Sequence, residues 1–170
     1  MSRPYEVLEH TADVGVRARG RTLEETFVNM AAGLMSLVVP DPESIRATEE
    51  RRIEARAPDL EGLLVAWLSE FVYLIDAERF LVATIEDVFV ASCEPEAGPG
   101  SKRGRPASRG PASWTAGAVV RGENIDVARH QLDTEIKGVS YHMVKVERER
   151  ASETDSAGGA GWVAQAIFDI

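Results

Sequence analysis

The sequence predicts an α+β domain with two amphipathic helices packed on a largely antiparallel sheet. Three observations carry that prediction. Two stretches place apolar residues at helical spacing, one running from Leu23 to Val38 and one from Leu60 to Ile75. Some seven others alternate or are rich in β-branched and aromatic residues, as strands are. The two kinds do not alternate regularly, which argues against a parallel βαβ arrangement. A chain of 170 residues, 44% of them hydrophobic, fits one domain with a sizeable core.

The first strand covers Pro4 to Glu9. A turn, His10-Thr11-Ala12-Asp13, leads to a second strand in which Val14, Val16 and Ala18 alternate with Gly15, Arg17 and Arg19. Thr22 opens the first helix with Glu25 three positions on, a reciprocal capping box. Leu23, Phe27, Met30, Ala31, Leu34 and Val38 form its stripe, and Pro40 and Pro42 stop it. Arg52 to Ala57 alternates as a strand with one charged face. Asp59 caps the second helix, whose stripe of Leu60, Leu63, Leu64, Trp67, Leu68, Phe71 and Ile75 is that of a core-facing element.

From Arg79 to Cys93 the chain reads as two strands or one long bent one, with Cys93 packed as a small apolar group. Residues 95–113 hold four prolines, four glycines and four Lys or Arg against a single acid, the composition of a flexible insertion. Strand character resumes at Trp114. Residues 125–133 suggest a short helical turn. Thr134 to Glu147 is the longest strand candidate, with Gly138 placed where a bulge would shift its parity and re-aim Lys137. After a polar loop at 152–159, the last strand alternates Trp162, Ala164, Ala166, Phe168 and Ile170 with Val163, Gln165, Ile167 and Asp169.

A net charge of −9 and a pI near 4.9 argue against a broad nucleic-acid-binding face. Outside 95–113 the remaining residues carry −12, so an RNA contact is expected only indirectly or through that insertion. The single cysteine excludes an internal disulfide, and the chain shows neither a signal-peptide pattern nor a membrane-length apolar run. A cytoplasmic protein is expected.

Three sets of residues offer chemistry. Asp13, Asp169 and Ile170 supply only oxygen, which suits Ca²⁺, with Mg²⁺ or Mn²⁺ as alternatives. An ordinary strand-end surface charge is the competing explanation of Asp169. His10 and His142, with His130 apart from them, lack zinc-ligand spacing and read more simply as structural or surface histidines. Lys137 lies within an apolar-flanked strand, where it would either compensate carboxylates or simply be solvated. Phosphate-binding glycine loops and serine-nucleophile elbows are absent.

Four segments in order, YEVLEHTADVGVRARG, LLVAWLSEFVYLID, EIKGVSYHMVKVE and the terminal AIFDI, make this sequence resemble the archease family over nearly its whole length, chiefly excepting 95–113. The resemblance implies a small cytoplasmic, non-catalytic partner of the GTP-dependent RNA ligase that joins 3′-phosphate to 5′-hydroxyl ends in tRNA splicing or RNA repair. Such partners promote guanylylation of the ligase's active-site histidine and support its repeated turnover. The resemblance also implies a divalent-metal site, taken in the family to hold Ca²⁺, on Asp13, Asp169 and Ile170, and a functional lysine at Lys137. His10 and His142 fall in family motifs without an assigned role. A general chaperone or adaptor is the alternative, and a stand-alone metal-dependent hydrolase a third.

Overall fold

The computed structural model describes residues 4–9, 13–93, 113–149 and 161–170. His10, residues 94–112 and the polar loop 150–160 lie outside them, as does the side chain of Cys93, so the expectations made for these fall outside the description. The element order is β1 (Tyr5–Glu9), β2 (Asp13–Gly20), α1 (Leu23–Val38), a 3-10 turn (Pro42–Ser44), β3 (Glu49–Ala57), α2 (Leu60–Asp76), β4 (Phe80–Cys93), β5 (Ser113–Asn124), β6 (Gly138–Arg148) and β7 (Trp162–Asp169). Every strand pairing is antiparallel, but the strands divide into two sheets, β1-β2-β7-β6 and β3-β5-β4.

Each helix touches both sheets. α1 packs on β1, β2 and β7 and also on β4, while α2 packs on β3, β4 and β5 and also on β6. The apolar stripes become the core: Phe27, Met30, Leu34, Leu63, Leu64, Trp67, Leu68 and Phe71 are fully buried. Trp67 sits between the rings of Phe27 and Phe71, with centroids 6.0 and 5.3 Å away. Its indole N–H donates to the Phe27 carbonyl at 3.1 Å, so the largest core residue buries its one donor satisfied and ties the helices together. Gly33 lets α1 lie against the sheet, because a Cβ there would meet Val16 Cγ1 at 2.4 Å.

The helix starts follow the sequence with one change. Thr22 Oγ1 accepts the Glu25 N–H at 3.1 Å, and Asp59 Oδ1 accepts the Gly62 N–H at 2.7 Å. The returning arm of the first cap goes one residue further back than in a capping box. Glu25 accepts from the N–H of Arg21 at 2.9 Å, where its side-chain ion pair with the same residue holds it.

β4 is one long strand with irregularities between Val82 and Thr84 and between Glu86 and Phe89. Residues 127–129 form a turn. β6 begins at Gly138, later than the alternation suggested, because residues 131–137 are drawn into an irregular path. The Asp133 and Thr134 N–H groups donate to the Val38 and Leu37 carbonyls at 2.9 and 3.2 Å, closing the open end of α1. The disruption of β6 lies between Ser140 and Lys145, where Tyr141, His142, Met143 and Val144 face Ala166 alone. Gly138 itself is in register with Asp169 and carries no bulge.

Candidate functional site

β7 is the strand on which the candidate residues converge. Phe168 is fully buried, so its neighbour Asp169, exposed, points to the opposite face of the sheet. The register sets Asp13 of β2 directly across from Asp169 on one side and Gly138 of β6 across from it on the other. The two aspartates thus come from opposite ends of the chain. Side chains at directly opposed positions have Cβ atoms about 4.5–5.5 Å apart, and like charges there are destabilising. A cation between the carboxylates would remove that penalty.

Gly138 leaves the far flank of Asp169 open. A Cβ added there would lie 3.7 Å from Asp169 Oδ2, an ordinary contact, so steric exclusion is not what the glycine provides. The Lys137 N–H donates to the Asp169 carbonyl at 2.8 Å, so the backbone of that segment is locked to the end of β7. The Lys137 side chain is exposed, and among the described residues no ion pair joins it to Asp13 or Asp169. The fold therefore gathers Asp13, Asp169 and the Lys137 backbone, with Ile170 next in the chain and 45% exposed.

Among the described residues no group of three or more His, Cys, Asp and Glu side chains converges to hold a metal. A cation at Asp13 and Asp169 would thus need further oxygens, and among the described residues the main-chain oxygen of Ile170 is a donor next in the chain. Such an oxygen-only set fits a hard divalent cation and does not fit zinc.

His142 is not part of this cluster. It is exposed on the β6 bulge, where its N–H donates to Ser140 Oγ at 3.1 Å. Gln165 Nε2 braces the bulge from β7 by donating to the Met143 carbonyl at 3.3 Å. Met143 takes a φ of 58°, a conformation that side chains with a Cβ rarely adopt. Tyr141 and Met143 are 73% and 51% exposed there.

The family model for the archease protein family matches residues 5–170. The chain belongs to the archease family. Curated archeases from Methanosarcina mazei and Methanopyrus kandleri are each 33% identical to it, over 168 and 167 residues. The alignments cover 99% of this chain and 97% of the first relative, and 98% of this chain and 99% of the second. Two solved structures share the fold. The solution structure of protein 1598 from Methanobacterium thermoautotrophicum matches with a TM-score of 0.67 at 24% identity, covering 99% of this chain and all of that one. The 2.0 Å crystal structure of a Thermotoga maritima archease, described as a possible chaperone, matches with a TM-score of 0.52 at 18% identity, over 100% and 98% of the two chains.

This archease-family chain also holds a polar cluster that sequence reasoning passed over. Glu123, on β5, is only 8% exposed and His130 only 3%. Glu123 Oε1 accepts the Arg46 N–H at 2.7 Å and lies 3.1 Å from His130 Nε2, while Oε2 pairs with the Arg129 guanidinium. His130 Nδ1 accepts the Asp126 N–H at 2.9 Å, so the ring proton sits on Nε2 and is donated to Glu123. The Arg129 guanidinium, helped by the Arg46 N–H and His130, holds the Glu123 carboxyl down to about 2 against the opposing effect of its burial. Both oxygens of the carboxylate are used within the fold, which makes the cluster a clamp on the segment after β5. The one available signal was a lone histidine beside an arginine, six and seven residues past an acid.

Two of the hollows among the described residues can be placed against the candidate site. One of about 470 Å³ lies on the second sheet, between Arg52, Glu54, Asp87 and Phe89, and includes none of the candidate residues. The other, of about 330 Å³, adjoins the Lys137 segment at Ile136.

Proposed function

We propose that this protein is a cytoplasmic, non-catalytic activator of the GTP-dependent RNA ligase that joins 3′-phosphate and 5′-hydroxyl RNA ends, promoting guanylylation of the ligase histidine and multiple turnover in tRNA splicing or RNA repair. Family membership supports this reading. The observation that carries it is the direct register of Asp13 with Asp169, two like charges opposed across neighbouring strands. Such a pair is costly unless something positive is held between its members.

Asp13 and Asp169 would hold a divalent cation, Ca²⁺ best and Mg²⁺ or Mn²⁺ otherwise, with Ile170 supplying carbonyl oxygen. Bound there, the cation would supply positive charge for a triphosphate. The chain's own residues would do the positioning: the Lys137 N–H fixes the Asp169 backbone, and the exposed Lys137 ammonium would be available to a phosphate. His10 and His142 are accessory candidates, and His142 stands apart from the carboxylates on the bulge. Among the described residues no helix is long and apolar enough to cross a membrane, in keeping with a partner that is not itself a membrane span.

The test is single-turnover guanylylation of the matching ligase with substoichiometric and stoichiometric protein. Asp13→Ala and Asp169→Ala should fold normally and abolish the stimulation, and Lys137→Ala should reduce it at least tenfold. Full stimulation by the two aspartate variants would overturn the reading.

A second reading, a general chaperone or adaptor, draws on the exposed apolar side chains Tyr73, Tyr141 and Met143 and on the description given to the Thermotoga relative. It predicts suppressed aggregation of unrelated proteins with no dependence on Asp13.

A further inference from the structure

The 330 Å³ hollow lies where the C-terminal ends of both helices meet the segment Leu132–Ile136. Its volume is at the small end of ligand-sized cavities, about 300–1,000 Å³. About half of its wall is apolar, with Ile75 and Ile136 among the lining residues, and its charges are unbalanced: Asp76, Asp133 and Glu135 against Arg79 alone. The ion pairs nearby run elsewhere, Arg51 to Glu78 and Arg129 to Glu123 and Asp126. Among the described residues none reaches Asp76, Asp133 or Glu135.

The backbone adds to the same sign. A helix C-terminus carries the negative end of its dipole, which Lys or Arg in the last turn ordinarily offsets. The last turn of α2 has no basic residue, whereas the end of α1, equally without one, is partly met by the Asp133 and Thr134 N–H groups. A bare metal ion would leave the apolar half of the wall uncovered. A cation on an aliphatic stem satisfies both halves, because its stem covers apolar surface while its head stays among carboxylates.

We propose that this hollow receives a lysine or arginine side chain of a protein partner. It is well placed for that. The lining residue Ile136 is followed by Lys137, whose N–H holds Asp169, so one segment separates the hollow from the opposed carboxylates. A partner covering that end of the sheet reaches both. Only the identity of the partner, the RNA ligase, rests on the proposed function.

Agmatine, a guanidinium on a four-carbon stem, probes the hollow in the protein alone. In a ¹H–¹⁵N titration it should give saturable shifts confined to residues 75–79, 125 and 132–136. 1-Butanol, the stem without the charge, should give none. The exposed-site variant Asp133→Asn/Glu135→Gln, whose remaining spectrum should match the wild type, should lose the response. Absence of saturable shifts, or equal shifts in that variant, would overturn the proposal. With the ligase, Asp76→Asn/Asp133→Asn/Glu135→Gln should raise Kd at least tenfold, as loss of close interfacial charge pairs does. An unchanged Kd would also overturn it. If the wild type fails to bind the ligase, the ligase reading falls and the agmatine titration alone decides the chemistry of the hollow.

Discussion

Two carboxylate clusters in this molecule have opposite arrangements. Glu123 is enclosed by an arginine, a histidine and a backbone N–H, and each of its oxygens has a donor. Asp169 stands at a sheet end across from Asp13, another acid, and among the described residues its carbonyl rather than its carboxylate has the nearby donor. Closed networks of the first kind stabilise a fold, whereas opposed charges of the second kind cost stability until something outside the fold compensates them. A few residues along from the Gly138–Asp169 pair, the β6 bulge adds a second local cost at Met143. The sign of a mutation's effect on stability should therefore reverse between the two regions.

The largest effect belongs to the closed network. Glu123→Ala takes the acceptor from the buried His130 and one partner from Arg129, which keeps Asp126 and the Ser44 carbonyl, and leaving a buried donor unsatisfied costs about 1–3 kcal/mol. Urea denaturation should show this as a fall in midpoint with an unchanged slope. A variant as stable as the wild type would mean the cluster is not a clamp.

Acid should weaken the same region. The folded Glu123 carboxyl is depressed to about 2, below its ordinary 4.5, chiefly by the Arg129 guanidinium. A depressed acid contributes stability that is fully present above the unfolded value and is lost as pH falls through the folded one. Denaturation midpoints should thus decline between pH 4.5 and 2, and the part due to Glu123 should vanish in Glu123→Gln.

At the other region the predicted sign is positive and the size smaller. Met143→Gly removes a left-handed strain of about 1–2 kcal/mol against glycine's entropic cost of roughly 0.5–1 kcal/mol, for a net gain of about 0.5–1 kcal/mol. Thermal unfolding measures it directly, and a lower Tm would show that the bulge carries packing that its exposure does not suggest. In chelator, Asp169→Asn should likewise raise stability by a few tenths of a kcal/mol by ending the repulsion with Asp13, about the size of a cross-strand pair.

How much of this was legible in the sequence follows from the range of the interactions involved. The helices were, because Leu23–Val38 and Leu60–Asp76 show their buried stripes within a few turns. The alternation of Val14, Val16 and Ala18 and of Phe168, Ala166 and Ala164 likewise marked the inner faces of β2 and β7. Their mutual register, which alone brings Asp13 to Asp169, joins strands more than 140 residues apart, and no local period encodes it. There the resemblance supplied what the pattern could not. The sequence predicts a bulge at Gly138, where backbone freedom is cheapest, yet it forms three to six residues later with Met143 bearing the positive φ. His130 finds its partner Glu123 in another element, the end of β5, where Gly122-Glu123-Asn124 reads as turn chemistry, and no local period joins the two.

The opposed aspartates are proposed as a cation site. Isothermal titration of Ca²⁺ into chelator-stripped protein tests it without any ligase. Wild type should bind one ion per chain, and Asp13→Asn and Asp169→Asn should each lose that heat while unfolding with Tm values at or above that of the stripped wild type. Equal Ca²⁺ affinity in both variants, or no binding by the wild type, would contradict it.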